Sequence, residues 1–180
     1  MVGISEEKPM ITPDFVKTMT RYNRWQNHSL TRAADSLSDQ IRWQDGGTFF
    51  KSIAEAMNNI LWDYRIWFSR LQGDYTTVAQ IGARHPYTDA PRDWSAYKKQ
   101  RSELDDILVT WADSLTATDL AQSTRWIRGA EAVETNFGFN TVHMINHQTH
   151  HRGQVHALLT KFGAKPDPTD LQMLALVDEV

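Results

Sequence analysis

Hydrophobic residues recur every three to four positions in four long stretches of the chain, the spacing that one face of an amphipathic helix requires. Glycine, proline and capping residues bound each stretch, beginning with Thr12 and Pro13 ahead of the first and ending with Gly163 after the fourth. The pattern predicts helices over residues 13–37, 49–71, 92–115 and 141–162, the second of them capped by Thr48.

The connections between these helices differ in length and character. Residues 73–92 contain Gly82, Pro86 and Pro91, and predict a long crossover loop. Two partly alternating runs around Gly129 predict a small hairpin or an extended loop, and leucines beyond Pro168 predict a short C-terminal helix. With residues 1–11 as a loose N-terminal arm, residues 1–180 are predicted to form one all-α domain, a four-helix bundle.

Composition narrows the functional classes. The chain is 41% hydrophobic with seven Trp and seven Phe, which predicts a folded protein, and its net charge of −3 gives no indication of a nucleic-acid partner. It contains no cysteine, so disulfides, thiolate metal sites and a cysteine nucleophile are excluded. The first ten residues lack a signal pattern and no apolar run is long enough to span a membrane, so we expect a cytoplasmic protein without a membrane partner.

Five of the seven histidines lie within residues 143–156, on the fourth predicted helix. His147 and His151 are four positions apart, so both imidazoles can point at one spot, as they do when a helix chelates a divalent metal. The same cluster could instead form a hydrogen-bonded polar layer of the bundle. A metal site requires at least a third ligand from a neighbouring helix, and Asn59 and Asp63 lie one turn apart on the shoulder of the second helix.

Three segments resemble the DinB/YfiT-like family, a group of candidate metalloenzymes. They are RYNRWQN in the first helix, FFKSIAEAMNNILWDYRIWFSRLQG in the second, and HMINHQTHHRGQVHALLTKFGAKPDPTDLQML at the end. The resemblance implies a four-helix bundle in which three histidines hold a divalent metal, nickel or zinc. His147 and His151 match the H-x-x-x-H pair of the family, but Asn59 stands where the third histidine is expected.

The asparagine leaves three alternatives open for this chain. Asn59 can ligate the metal through its amide oxygen, which is a weaker donor than imidazole for zinc or nickel. Asp63 or His143 can take the place of the missing histidine. In the third alternative the site is empty and the metal chemistry has been lost.

The resemblance also implies a function, because characterised relatives include metal-dependent thiol transferases and an isomerase that use low-molecular-weight thiols. We therefore expect a metal-dependent transferase or hydrolase-type enzyme, with Gln154 and Asp63 orienting the ligands. Arg152 either reaches an anionic substrate or forms a surface ion pair, and we expect the ion pair. The alternative is a non-catalytic homodimer that binds a small ligand or acts in a stress response. A homodimer is implied in either case.

Overall fold

The computed structural model describes residues 10–82, 93–128 and 131–176, and within these ranges the chain is mainly helical. The elements in chain order are α1 Pro13–Asp35, α2 Asp39–Arg42, α3 Ile53–Leu71, α4 Tyr75–Gly82, α5 Trp94–Ser114, α6 Ala117–Ala121, β1 Ser123–Arg128, β2 Glu131–Asn136, α7 Phe137–Lys161 and a 3₁₀ helix Leu171–Leu176. The predicted all-α four-helix bundle is confirmed: α1 packs against α5 and α7, and α3 packs against α7.

The ends of α1 and α7 follow the sequence signals. Thr12 Oγ1 accepts a hydrogen bond from Phe15 N at 3.2 Å, ahead of Pro13 in the first turn. At the end of α7, Gly163 has a φ of +86°, and Ala164 N donates to Leu159 O at 2.9 Å, which closes a Schellman motif. The start of α1 and the end of α7 are therefore fixed by local chemistry.

The start of the second long helix was predicted wrongly. The helix α3 begins at Ile53, not at residue 49, because Lys51 has a φ of +59°, in the left-handed region that interrupts a helix. Ser52 and Glu55 then form a reciprocal capping box that starts the helix. Phe49, the first residue of the predicted helix, lies outside α3 and is 81% exposed.

The predicted loop over 73–92 is also partly wrong, since residues Tyr75–Gly82 form α4. Asp74 Oδ1 accepts a hydrogen bond from Thr77 N at 3.0 Å, so an ordinary aspartate cap starts this helix. Residues 83–92 of the predicted loop, and residues 1–9 of the predicted N-terminal arm, lie outside the described part of the chain.

The segment before α7 forms the predicted hairpin, with β1 and β2 paired antiparallel from Ser123 opposite Asn136 to Arg128 opposite Glu131. Asn136 ends the hairpin and also caps α7, because its Oδ1 accepts a hydrogen bond from Phe139 N at 2.9 Å. The hairpin thus starts α7 one turn earlier than predicted. The predicted final helix is present as a 3₁₀ helix that contacts α1.

A buried ion pair fixes α5 against α1. Arg101 and Asp105 have side chains that are 1% and 2% exposed, and Arg101 Nε and Nη2 donate to the two Asp105 oxygens at 3.0 and 2.8 Å. Asn27 Nδ2, from α1, donates to Asp105 Oδ1 at 2.9 Å. Both charges are therefore compensated where water cannot reach them, which is the condition for tolerating a buried pair.

We predict that Asp105→Asn lowers the free energy of unfolding by about 3 kcal/mol, because it leaves the Arg101 guanidinium buried without a counter-charge. Asp106→Asn is the matched control, since the neighbouring carboxylate is 64% exposed and pairs with Arg24 at the surface. We expect that control to cost less than about 1 kcal/mol. Urea denaturation measures both, and equal losses would contradict a special role for the buried pair.

Candidate metal centre

Three side chains that can bind a metal meet between α3 and α7. His147 and His151 lie one turn apart on α7, and their Nε2 atoms are 3.2 Å apart. Asp63 faces them from α3, with Oδ2 at 3.6 Å from His147 Nδ1 and 3.7 Å from His151 Nε2. One ligand atom from each of the three residues lies within 4.8 Å of the others, so two imidazoles and one carboxylate share a single spot.

His151 is fixed in orientation and in tautomer. The residue is 8% exposed, its ring packs edge-on against Phe50 with the centroids 5.2 Å apart, and Nδ1 lies 2.7 Å from Gln154 Oε1. An amide oxygen only accepts, so the ring carries its proton on Nδ1 and keeps a lone pair on Nε2. That lone pair is on the nitrogen beside His147 and Asp63, as metal binding requires.

Asn59 positions the carboxylate. It is 5% exposed, and its Nδ2 donates to Asp63 Oδ2 at 3.0 Å from one turn earlier on α3. The structure therefore brings His147 and His151 together with Asp63, and it places Asn59 behind the carboxylate. Ligation by Asn59 itself stays a prediction.

Contacts between the two helices determine how the three side chains meet. Gln148, which is 1% exposed, donates from Nε2 to the carbonyl oxygen of Ile60 at 3.4 Å, one residue after Asn59. Met144 and Val155 on α7 are buried in the same core cluster as Ile60. The relative rotation of α3 and α7 is thus fixed by buried contacts on both sides of the histidine pair.

Burial sets the protonation of the group. Burial raises the pKa of the Asp63 carboxyl to about 6, although the Asn59 hydrogen bond and the nearby Arg70 act to lower it. Burial, followed by the proximity of His151, lowers the pKa of His147 to about 4, and burial also lowers the pKa of His151. Near pH 7 the site consists of one carboxylate and two neutral imidazoles, the forms that bind metals.

Aromatic and cationic side chains border the site towards the hairpin. His143 packs against Trp67 with centroids 4.3 Å apart, and against His147 at 5.6 Å. The Arg70 guanidinium lies 4.6 Å from the ring of Trp67 and 5.2 Å from that of Trp126. A positive charge and three rings therefore flank the metal-binding group.

These residues fit a divalent ion. A tetrahedral site with bonds of about 2.1 Å has ligand atoms roughly 3.4 Å apart. Asp63 Oδ2 lies close to that spacing from one nitrogen of each histidine, at 3.6 Å from His147 Nδ1 and 3.7 Å from His151 Nε2. His147 Nδ1 is buried and has no hydrogen-bond partner among the described residues, so a lone pair next to Asp63 is unused. Two nitrogens and one oxygen form a donor set that suits zinc, nickel and related ions and leaves a coordination position open.

Other expectations from the sequence have mixed outcomes. Gln154 contacts His151, as predicted for a residue that orients it. The expected surface ion pair of Arg152 is wrong, since Arg152 is 5% exposed and forms no ion pair within the described ranges. Asp63, one of the alternatives to Asn59, is the carboxylate that faces both histidines.

The fold and this group of side chains define a helical bundle with a candidate metal centre of two histidines and one carboxylate. The sequence model of the DinB family matches residues 10–177. The chain belongs to the DinB family.

Individual relatives agree with this assignment. Protein DinB of Bacillus subtilis (strain 168) is 22% identical over 165 residues, which cover 87% of this chain and 91% of that protein. The crystal structure of a DinB-like protein from Bacillus cereus ATCC 10987 has a TM-score of 0.59 at 17% identity, covering 80% of this chain and 90% of that one. At this identity the structural likeness shows the fold alone.

We predict that Asp63→Asn stabilises the metal-free protein at pH 7 by about 2 kcal/mol, because it removes a buried charge and keeps an acceptor for Asn59. The unfolded chain releases the Asp63 proton near pH 3.8 and the folded chain near pH 6. Between pH 3.8 and about pH 6 the folded state therefore binds more protons than the unfolded state. Wild type loses stability as the pH rises through this range, and Asp63→Asn does not.

The difference between the two proteins should accordingly shrink as the pH falls from 7 to 4. Urea denaturation of chelator-treated protein across this range measures it. Asp39→Asn is the control, since Asp39 is 66% exposed and pairs with Arg42 at the surface. A constant difference between wild type and Asp63→Asn at all pH values would show that Asp63 is not protonated on folding.

Proposed function

We propose that the chain is a metal-dependent enzyme in which Asp63, His147 and His151 bind one divalent ion, zinc or nickel, and that it activates a small thiol for transfer. The observation that supports this most directly is the approach of Asp63 Oδ2 to within 3.7 Å of both imidazoles. Membership of the DinB family also supports it. In addition, three protein ligands that leave one coordination position open are typical of catalytic metal sites and not of structural ones.

A divalent ion in this position would lower the pKa of a thiol that occupies the open coordination position. A hydrogen bond from Asn59 orients the Asp63 carboxylate, and a hydrogen bond to Gln154 fixes the tautomer of His151. In the transfer the thiol loses its proton to solvent, its sulfur bonds to an electrophilic carbon of a second substrate, and the leaving group departs with the electron pair.

The flanking side chains would select the substrate. Arg70 lies on the aromatic rings of Trp67 and Trp126 and acts electrostatically on Asp63. A carboxylate on the small thiol can pair with this guanidinium. The site therefore favours a small anionic thiol, while the homodimer implied by the family stays a prediction.

We predict that chelator-treated wild type binds one zinc ion per chain with a Kd of about 1 µM or lower. His147→Ala, His151→Ala and Asp63→Ala should each weaken binding by ~100-fold, because each removes one of three ligands. Competition titration with a chromophoric chelator, on protein purified without a nickel column, measures this. His156→Gln is the control, since it removes an imidazole from the same helix outside the group.

The role of Asn59 is tested in the same titration. If Asn59 orients Asp63, Asn59→Ala should cost only about 10-fold. A loss as large as that of Asp63→Ala, together with a small effect at Asp63, would instead make Asn59 the third ligand. Asn59→His should tighten binding by roughly 10-fold to 1,000-fold, since imidazole is the stronger donor. Failure of wild type to bind any divalent metal would reject the enzyme in favour of a non-catalytic binding protein.

We further predict that zinc-loaded wild type accelerates the reaction of mercaptoacetate, a small thiol with a carboxylate, with 1-chloro-2,4-dinitrobenzene by at least ~10-fold over metal-free protein, because coordination increases the thiolate fraction at neutral pH. Absorbance of the thioether product measures the rate. Asp63→Ala should match the metal-free protein. If wild type binds zinc but accelerates the reaction of neither this thiol nor L-cysteine, the metal site is supported and thiol activation is rejected.

A further inference from the structure

A cavity of about 490 Å³ lies between α1, α7 and the segment that follows α7. Its volume is in the range of small-molecule sites. Arg152, Gly153 and His156 line it from α7, and Tyr22 and Leu30 line it from α1. None of Asp63, His147 and His151 is among its lining residues, so the cavity is separate from the metal-binding group.

A buried arginine forms part of the cavity wall. Arg152 is 5% exposed, and its Nη2 donates to Thr149 Oγ1 at 3.0 Å. Its Nη1 has no hydrogen-bond partner among the described residues. The guanidinium carbon lies 5.5 Å from the centroid of the Tyr22 ring, which stabilises the cation through a cation–π contact.

Arg101 is also a buried cation, and it has the paired carboxylate that Arg152 lacks within the described part of the chain. Arg101 is 1% exposed and is neutralised by two hydrogen bonds to Asp105. No carboxylate lies within 4.0 Å of the Arg152 guanidinium in the ranges 10–82, 93–128 and 131–176. Asp105 acts on Arg152 electrostatically but forms no ion pair with it. A buried charge without a paired counter-charge is destabilising, and arginine does not lose its proton at neutral pH. An anion in the adjacent cavity would supply the counter-charge.

Further groups around the cavity define the ligand. His156 Nδ1 is buried and has no hydrogen-bond partner in the described chain, so a second polar atom of the wall is unused. Tyr22 and Gln26 are occupied, because they donate to the carbonyl oxygens of Thr169 and Pro168 at 2.6 and 2.9 Å and fix the far wall. The Leu30 side chain and the Tyr22 ring provide apolar surface for the body of a ligand.

Gly153 leaves space at the edge of the cavity. A Cβ built on this residue meets no atom within 4 Å, so packing does not require a glycine here. A glycine inside a helix costs about 1 kcal/mol relative to alanine. The space beside Gly153 is therefore free for a ligand. A larger side chain at this position would fit and would block that ligand.

We propose that this cavity binds a small organic carboxylate, with its anionic group on Arg152 and its apolar body against Leu30 and Tyr22. The volume and the apolar surface favour an organic acid over inorganic phosphate, which shares the charge but has no body to bury. The proposal is independent of metal binding, since it uses none of the three candidate metal ligands.

Amide NMR titration of the chelator-treated full chain with benzoate tests the proposal. We expect benzoate to shift the amides of Gly153 and His156 with a Kd in the millimolar range or lower. Benzamide, a neutral molecule of the same shape, should bind at least ~10-fold more weakly because it lacks the charge. Inorganic phosphate should also bind more weakly than benzoate, because it lacks the apolar body.

Variants locate the site. Arg152→Met should reduce benzoate affinity by at least ~10-fold, and Arg21→Met is the matched control, because Arg21 loses the same charge from a surface pair with Asp113. Gly153→Leu keeps Arg152 and fills the open space, and it should also abolish benzoate binding. This variant decides the question if Arg152→Met does not fold.

Four results would overturn the proposal. They are absence of benzoate binding, equal affinity for benzoate and benzamide, wild-type benzoate affinity in folded Gly153→Leu, and tighter binding of phosphate than of benzoate. Asp63→Ala should leave benzoate affinity unchanged whether or not it abolishes zinc binding, which separates this test from that of the metal centre.

Discussion

The packing of α3 against α7 is the constraint on which the candidate metal centre depends. Asp63 comes from one helix and the two histidines from the other, so a rotation of either helix by one position would move a ligand by about 100° around its axis. Buried apolar side chains and the bond from Gln148 to the Ile60 carbonyl oxygen hold the register. The packed core next to the site therefore fixes the relative positions of Asp63, His147 and His151.

That arrangement costs stability. Burial raises the pKa of Asp63 to about 6 and lowers that of His147 to about 4, so burial disfavours the charged form of both groups. His147 Nδ1 and the Arg152 Nη1 are both buried without hydrogen-bond partners in the described residues. Such groups are expected at sites that bind ligands, because the ligand completes them. The buried pair of Arg101 and Asp105 differs in that two hydrogen bonds join the two charges, although Arg101 Nη1 has no partner in the described residues.

Much of the fold could be predicted because its signals are local. Thr12 and Gly163 mark helix ends through their own backbone and side-chain chemistry, and both are confirmed. Two of the errors have local causes of the same kind: Ser52 and not Thr48 caps α3, and Asp74 caps α4 within the predicted loop. Apolar spacing alone does not show where a helix starts when a left-handed residue such as Lys51 interrupts the pattern.

The site was predictable only within one helix. The spacing of His147 and His151 brings their nitrogens together on any α-helix, but the third side chain depends on how α3 is rotated against α7. Asn59 and Asp63 share a face of α3, so sequence spacing could not choose between them. Arg152 was misjudged for a related reason: it follows His151 by one residue and faces α1, and the sequence does not say which helix covers that face.

A carboxylate in place of the family's third imidazole would change the chemistry of a metal centre as well as its affinity. Asp63 adds a negative charge, so the net charge of a bound divalent ion and its ligands would be lower by one than with three neutral histidines. A lower charge makes the ion a weaker Lewis acid. Arg70 acts on Asp63 electrostatically and opposes the rise of its pKa, so it returns positive charge to the site. On this argument the carboxylate and the arginine form one unit, and removal of Arg70 would affect thiol activation even though it ligates no metal.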